Sequence, residues 1–181
     1  MVKKKVISIS IPVLNEERNI KPLYERLVSL AARLNKLYEF EFIFTDNRSS
    51  DSTWKILRSI GTKDKRVKAI RFSQNVGFQK SILANFMHSK GDAIIQLDAD
   101  MQDPPEILEE FLFKWQEGYK VVYGIRKRRH EGFLNRKFRD LGYFLIDALS
   151  EHPIPKHAGD FRLIDRKIVD ILISVKLSEP Y

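Results

Sequence analysis

The sequence contains no cysteine, which excludes a disulfide framework, a thiolate metal site and a cysteine nucleophile, and fits a reducing compartment. Long apolar runs are also missing. The basic Met1 to Lys5 opening leads into a short apolar stretch that ends at Pro12, so neither a signal peptide nor a membrane span is expected. Histidine is scarce, and His130, His152 and His157 have no spacing suited to zinc; they read as loop residues. No Ser-His-Asp arrangement offers a covalent nucleophile. Glycine numbers only 8, and no repeat, low-complexity segment or linker interrupts the chain.

What is present suffices for one globular domain with a sizeable core: 181 residues, 43% of them hydrophobic. The net charge of +8 calls for an anionic partner, whether nucleic acid, a phospholipid surface or a phosphorylated small molecule. Arg126, Lys127, Arg128, Arg129, Arg136, Lys137 and Arg139 concentrate that charge in one stretch. A solvated face is the plainer account of such a run.

Strand and helix patterns alternate. Val6 to Ile11 is β-branched and closed by Pro12, and Ile20, Leu23, Tyr24, Leu27, Leu30, Ala31 and Leu34 follow at helical spacing. Phe40 to Thr45 predicts a second strand before a helix from about Asp51. Val67 to Phe72 predicts a third, before a helix carrying Phe78, Ile82, Leu83 and Phe86. Ala93 to Leu97 is a fourth strand, ending at an acidic cluster. Asp103-Pro104-Pro105 predicts a capped helix with Ile107, Leu108, Phe111, Leu112 and Trp115 buried and Gly118 as its stop. Lys120 to Tyr123 is a fifth strand. An amphipathic helix from about Phe133 to Leu149 suits either core packing or a membrane surface, and Glu151 to His157 is a loop. Trp54 and Trp115 are expected to pack in helix faces. The fold class is α/β, a Rossmann-like, mainly parallel sheet with helices on both faces. Ligands in such sheets bind beyond the carboxyl ends of the strands.

Polar groups gather at those ends. In Asp98-Ala99-Asp100 two carboxylates two residues apart leave an extended chain on the same side. Such hard oxygen ligands suit Mg²⁺ or Mn²⁺, which take one or two protein carboxylates and complete their shells with phosphate and water. Asp103 is expected to act as a helix cap. Asp46 ends the second strand, and the polar loop Asn47 to Thr53 is suited to bonding a base or ribose; within it Asp51 is expected to cap or charge the helix start.

Ile11-Pro12-Val13-Leu14-Asn15-Glu16-Glu17, Phe44-Thr45-Asp46-Asn47-Arg48-Ser49-Ser50-Asp51-Ser52-Thr53 and Leu97-Asp98-Ala99-Asp100-Met101-Gln102-Asp103-Pro104-Pro105 resemble, in order and spacing, the motifs of family 2 glycosyltransferases of GT-A fold. Val122-Tyr123-Gly124-Ile125-Arg126 and Ala158-Gly159-Asp160-Phe161-Arg162-Leu163 are similar to the polyprenyl-phosphate branch, which includes dolichol-phosphate mannose synthase and bactoprenol glucosyltransferases. The resemblance covers nearly the whole chain. It implies a single catalytic domain over residues 1–181 that continues, in this branch, into an interfacial and membrane region.

By that resemblance Pro12, Leu14, Glu16 and Ala99 border the nucleoside, Asp46 holds the base, and Asp98 meets the ribose or the metal shell. Asp100 and Gln102 hold Mg²⁺ or Mn²⁺, while Arg126 and Arg136 meet phosphates. Arginine suits that task through its planar, permanently charged fork. Asp160 contacts the acceptor or orients the sugar, unless it is a buried partner of Arg162. The implied reaction is inverting transfer of a hexose from a UDP- or GDP-sugar to a polyprenyl phosphate at the cytoplasmic face of a membrane. The acceptor phosphate is already anionic, so no general base is required. Asn47-Arg48 and Leu14 depart from the common pattern and leave uracil and guanine undecided; a homo-oligomer is left open. Two rivals remain. A soluble family 2 enzyme acting on a sugar or protein hydroxyl needs a base, for which Asp160 is the candidate. A non-catalytic nucleotide- or nucleic-acid-binding module has only the basic stretch in its favour, and nucleic acid is disfavoured as a partner.

Overall fold

The computed structural model of the protein describes residues 4–125 and 158–175. In β1 (Lys5–Val13) every residue from Ile7 onward is buried, the signature of a parallel strand covered on both faces. The helix after it, α1 (Ile20–Arg33), turns Ile20, Leu23, Leu27, Leu30 and Ala31 inward. The same unit repeats with β2 (Tyr38–Asp46), α2 (Thr53–Lys63), β3 (Val67–Arg71), α3 (Phe78–His88) and β4 (Ala93–Gln96). A short 3₁₀ turn, Pro105–Ile107, leads into α4 (Leu108–Gln116) and then β5 (Val121–Ile125). These elements fall where the periodicity predicts them. Gly118, at φ 106°, adopts the left-handed conformation that ends α4.

Two elements were not anticipated, β6 (Ala158–Asp165) and α5 (Arg166–Ser174). The sheet order is β3-β2-β1-β4-β6-β5. The first four strands are parallel, whereas β6 lies antiparallel between β4 and β5. The expected mainly parallel sheet is therefore present, but its fifth strand in sequence is an outer edge.

The cap position of the 3₁₀ turn that precedes α4 falls on Pro104, one residue after the expected Asp103, and Asp103 is buried beside it. Trp115, as expected, is buried in the α4 face, and its indole N–H donates to Asp165 Oδ2 at 2.7 Å. The expected helix from Phe133 to Leu149 and the loop from Glu151 to His157 lie outside the described residues.

The two faces differ chemically. On one, Ile7, Ile9, Ile11, Phe42, Phe44 and Ile95 pack beneath α1, α2 and α4 in the main core. On the other, Ile82 and Phe86 of α3 meet Ile94, Ile164 and Val169, alongside polar side chains such as Ser8, Ser10 and Gln96. The chain winds outward from β1 to β3, then returns through α3 to β4 on the other side of β1. Such a reversal leaves a crevice at the carboxyl ends of β1 and β4.

Candidate active site

All four parallel strands run into loops that contain a residue with positive φ: Asn15 (56°), Arg48 (68°), Gly77 (90°) and Met101 (61°). A non-glycine residue in that conformation costs about 1–2 kcal/mol, so the loops require external support. Reciprocal hydrogen bonds between the first two supply it. Asn15 N–H donates to Ser49 Oγ at 2.9 Å, and Ser50 N–H donates back to Asn15 Oδ1 at 2.8 Å. Glu16 N–H donates to Thr53 Oγ1, Glu17 N–H to Asp51 Oδ2, and Ser52 N–H to Glu17 Oε2. Asp51 also accepts from Thr53 N–H at 2.9 Å, so it serves the start of α2 as expected. Burial opposes its charge, but the bonds from Thr53 and Glu17 outweigh this and hold the carboxyl below its usual range. The polar side chains of this loop, read from sequence as candidates for a base or ribose, are thus largely spent on the neighbouring loop.

A cleft of about 380 Å³ opens at the switch between β1 and β4. Pro12, Val13, Leu14 and Glu16 form one wall, and Asp98, Ala99 and Asp100 the other. Asn47 follows β2, and Asn75, Gly77, Phe78 and Ser81 come from the β3–α3 connection. The structure therefore brings Pro12, Leu14, Glu16, Asp98, Ala99 and Asp100 together. Leu14 and Phe78 are 41% and 40% exposed, giving the cleft apolar surface beside its acids.

Asp46 is not part of this lining. It is wholly buried, with Oδ2 2.9 Å from Arg71 Nε and Oδ1 accepting from Ser49 N–H at 3.0 Å. Arg71 also donates to Ser49 O at 2.9 Å and lies 5.5 Å from the Trp54 ring centre. The strand-end carboxylate thus has a local task, fixing the loop after β2.

Asp98 is half-buried and Asp100 exposed. The left-handed turn at Met101 returns Gln102 N–H to Asp100 Oδ1 at 3.0 Å, holding that carboxylate at the cleft; the rest of Gln102 is exposed. Among the described residues no three His, Cys, Asp or Glu side chains converge as a metal cage. Two carboxylates at a cleft are nonetheless the donor set that Mg²⁺ or Mn²⁺ uses when substrate phosphates and water fill the remaining positions, and to that extent the residues fit such an ion.

Asp160 is half-buried near the start of β6. Arg162 pairs in register with Gln96, which places Asp160 beside the chain leaving β4 toward Asp98. Burial lowers the Arg162 pKa, and the negative charge of Asp160 partly restores it. Arg126 and Arg136 lie outside the described residues. Sequence reasoning placed Asn47 in a loop suited to a base or ribose and Asn75 at a polar strand end, but did not single out Gly77, Phe78 and Ser81 as cleft residues; the available signal was Asn75-Val76-Gly77 between a strand and a helix.

The profile of glycosyl transferase family 2 matches residues 8–172. The uncharacterized glycosyltransferase YkcC of Bacillus subtilis is 41% identical over 175 residues, covering 96% of this chain and 54% of its own. The bactoprenol glucosyl transferase of Shigella phage SfX is 36% identical over 165 residues, covering 91% and 53%. The chain thus spans about half the length of the curated relatives it matches. A mannosyltransferase from Pyrobaculum calidifontis, solved with GDP-Man and Mn²⁺, superposes with TM-score 0.65 at 17% identity, over 94% of this chain and 47% of that one. Glucosyl-3-phosphoglycerate synthase from Mycobacterium tuberculosis, solved with Mn²⁺, UDP and phosphoglyceric acid, gives 0.62 at 19%, over 95% and 63%. These two likenesses show the GT-A fold. With the profile spanning most of its length and relatives above one-third identity, the chain belongs to glycosyl transferase family 2.

Proposed function

We propose that the protein is an inverting hexosyltransferase that moves a sugar from a UDP- or GDP-sugar to a polyprenyl phosphate at the cytoplasmic face of a membrane. The carrying observation is the cleft at the β1–β4 switch, where Asp98 and Asp100 face the Pro12 to Leu14 wall. Solved neighbours hold GDP-Man or UDP with Mn²⁺, and the bactoprenol relatives support the lipid-phosphate acceptor. No described helix is long and apolar enough to cross a membrane; the membrane location is proposed from the lipid-linked acceptor.

In this account Pro12, Leu14 and Asn47 enclose the nucleoside, and Asp46 acts from beneath by fixing the loop that carries Asn47. Asp98 and Asp100, with Gln102 beside them, would hold Mg²⁺ or Mn²⁺, which supplies Lewis-acid stabilisation of the departing diphosphate. Arg126 and Arg136 are assigned to phosphate oxygens, where a bidentate fork neutralises charge. An oxygen of the acceptor phosphate attacks the anomeric carbon as its bond to the nucleoside diphosphate breaks, and the electron pair leaves with the diphosphate. The attacking oxygen carries no proton, so no base takes part, and Asp160 orients the sugar or acceptor. A hydroxyl acceptor is the alternative favoured by the position of Asp160 near Asp98. Asp160→Asn then abolishes turnover, whereas with a phosphate acceptor it only weakens it.

Calorimetry with UDP and GDP, with and without Mn²⁺, tests the site. Nucleotide binding should strengthen at least about tenfold with Mn²⁺ and lose that gain in Asp100→Ala. Folded protein that binds neither nucleotide under any condition refutes the transferase assignment.

A further inference from the structure

The side-chain amide of Asn75 is oriented by groups that have no alternative role. The main-chain N–H of Val76 donates to Asn47 Oδ1 at 2.8 Å, so Asn47 presents its Nδ2 on the other side. That Nδ2 donates to Asn75 Oδ1 at 2.7 Å, and the main-chain N–H of Gly77 donates to the same oxygen at 2.9 Å. A main-chain N–H only donates, so flipping either amide would set N–H against N–H. The frame is firm, since Asn47 is buried and Gly77 is the residue that caps α3.

Asn75 itself is exposed and lines the cleft. Its oxygen is used twice, which leaves Nδ2 as the polar group it turns outward. The neighbouring polar side chains are already committed. Both amide atoms of Asn47 are bonded, the Ser81 hydroxyl donates to Gly77 O at 3.1 Å, and Asp46 is engaged by Arg71 and Ser49. Leu14 and Phe78 beside them are apolar. Among the described residues at this end of the cleft, Asn75 Nδ2 is thus a side-chain donor with neither hydrogen claimed, whereas Asn47 Nδ2 has given one of its two to Asn75.

We propose that Asn75 Nδ2 is a preset hydrogen-bond donor that selects the base of the sugar nucleotide by its keto group, admitting uracil and guanine and disfavouring cytosine and adenine. The inference rests on the sugar-nucleotide assignment above. Uracil O4 and guanine O6 accept a hydrogen bond, whereas cytosine N4 and adenine N6, at equivalent ring positions, carry amino groups. An amino group there sets donor against donor and leaves both unpaired in a partly desolvated cleft, a loss larger than that of one ordinary hydrogen bond.

Asn75→Asp is the discriminating change. It keeps an inner oxygen to accept from Asn47 and Gly77 and converts the outward donor into an acceptor. Dissociation constants for UDP, CDP, GDP and ADP are measured by calorimetry on the full chain with Mn²⁺, and UDP is compared with CDP and GDP with ADP, so that ring size cancels. The wild type should favour the keto member of at least one pair by about tenfold or more. Added negative charge near Asp98 and Asp100 weakens all four nucleotides in Asn75→Asp, so the readout is the keto-to-amino ratio, which should fall at least about tenfold. Asn75→Ala, which adds no charge, should bring that ratio toward one. A wild type without keto preference, or a ratio unchanged in both folded variants, overturns the inference alone. Binding of none of the four overturns it together with the sugar-nucleotide assignment.

Discussion

Replacing Arg71 by Met isolates the buried carboxylate of Asp46. Asp46 is fully buried and Arg71 is 27% exposed, with 2.9 Å between Oδ2 and Nε. Without the guanidinium, Asp46 keeps the Ser49 N–H bond but loses its counter-charge, and Ser49 O loses its donor. Breaking a buried pair from one side costs about 3–5 kcal/mol. The partial exposure of Arg71 lets water approach the empty position and favours the lower end, about 3 kcal/mol. For a domain of this size that corresponds to a melting point lower by ~6–12 °C. Asp46→Asn leaves the charge on the better-solvated partner and should cost less, about 1–3 kcal/mol. Combining the two substitutions should recover at least about 1 kcal/mol relative to their sum, because neither charge is then left alone. Urea denaturation of the four proteins closes the cycle. Strict additivity, or an Arg71→Met cost below about 1 kcal/mol, would show that the pair does not hold the loop.

Two further substitutions test other parts of the fold. Gly91→Ala would place Cβ 2.5 Å from Ser8 Oγ, 2.6 Å from Ser8 N and 2.8 Å from Ala93 O; two of these are main-chain atoms, so a cost of about 1–3 kcal/mol is expected, and a thermal melt indistinguishable from wild type would contradict it. Asp64 is held at a pKa of about 2 by the side-chain bonds from Arg66, reinforced by the Arg66 main-chain N–H and the Tyr24 hydroxyl. Its folded pKa lies below the ordinary carboxylate value, so its contribution is present above about pH 4 and is lost as pH falls toward 2. Because Arg66 is 42% exposed, that contribution is about 1 kcal/mol or less. Asp64→Asn should therefore be slightly less stable at pH 7 and lose less stability between pH 5 and 2, as urea midpoints across that range would show; parallel curves for the two proteins would exclude the assignment.

The repeating strand-helix units were legible because each strand is a short β-branched or aromatic run and each helix has one apolar face, both local properties. β6 was not legible for a complementary reason. Phe161 and Leu163 are buried toward one face while Arg162 alternates to the other, and the strand is defined by pairing with β4 and β5, which no local pattern announces. The cleft divides similarly. Asp98 and Asp100 stood out because two carboxylates followed a buried strand, whereas Asn75 looks like an ordinary turn residue until Asn47, 28 positions away, is placed against it.

Asp46 shows where strand-end position ceases to discriminate. Asp46 ends β2 and Asp98 follows β4, and both were read from the sequence as ligand candidates. In the sheet, the register of β2 with β3 sets Asp46 directly opposite Arg71, and the resulting ion pair gives the carboxylate a structural task. Asp98 follows β4, whose parallel neighbour β1 delivers Pro12, Val13 and Leu14 to the facing wall. The structural task of Asp46 is thus set by the residue that the adjacent strand places across from it, and that follows from strand order and register.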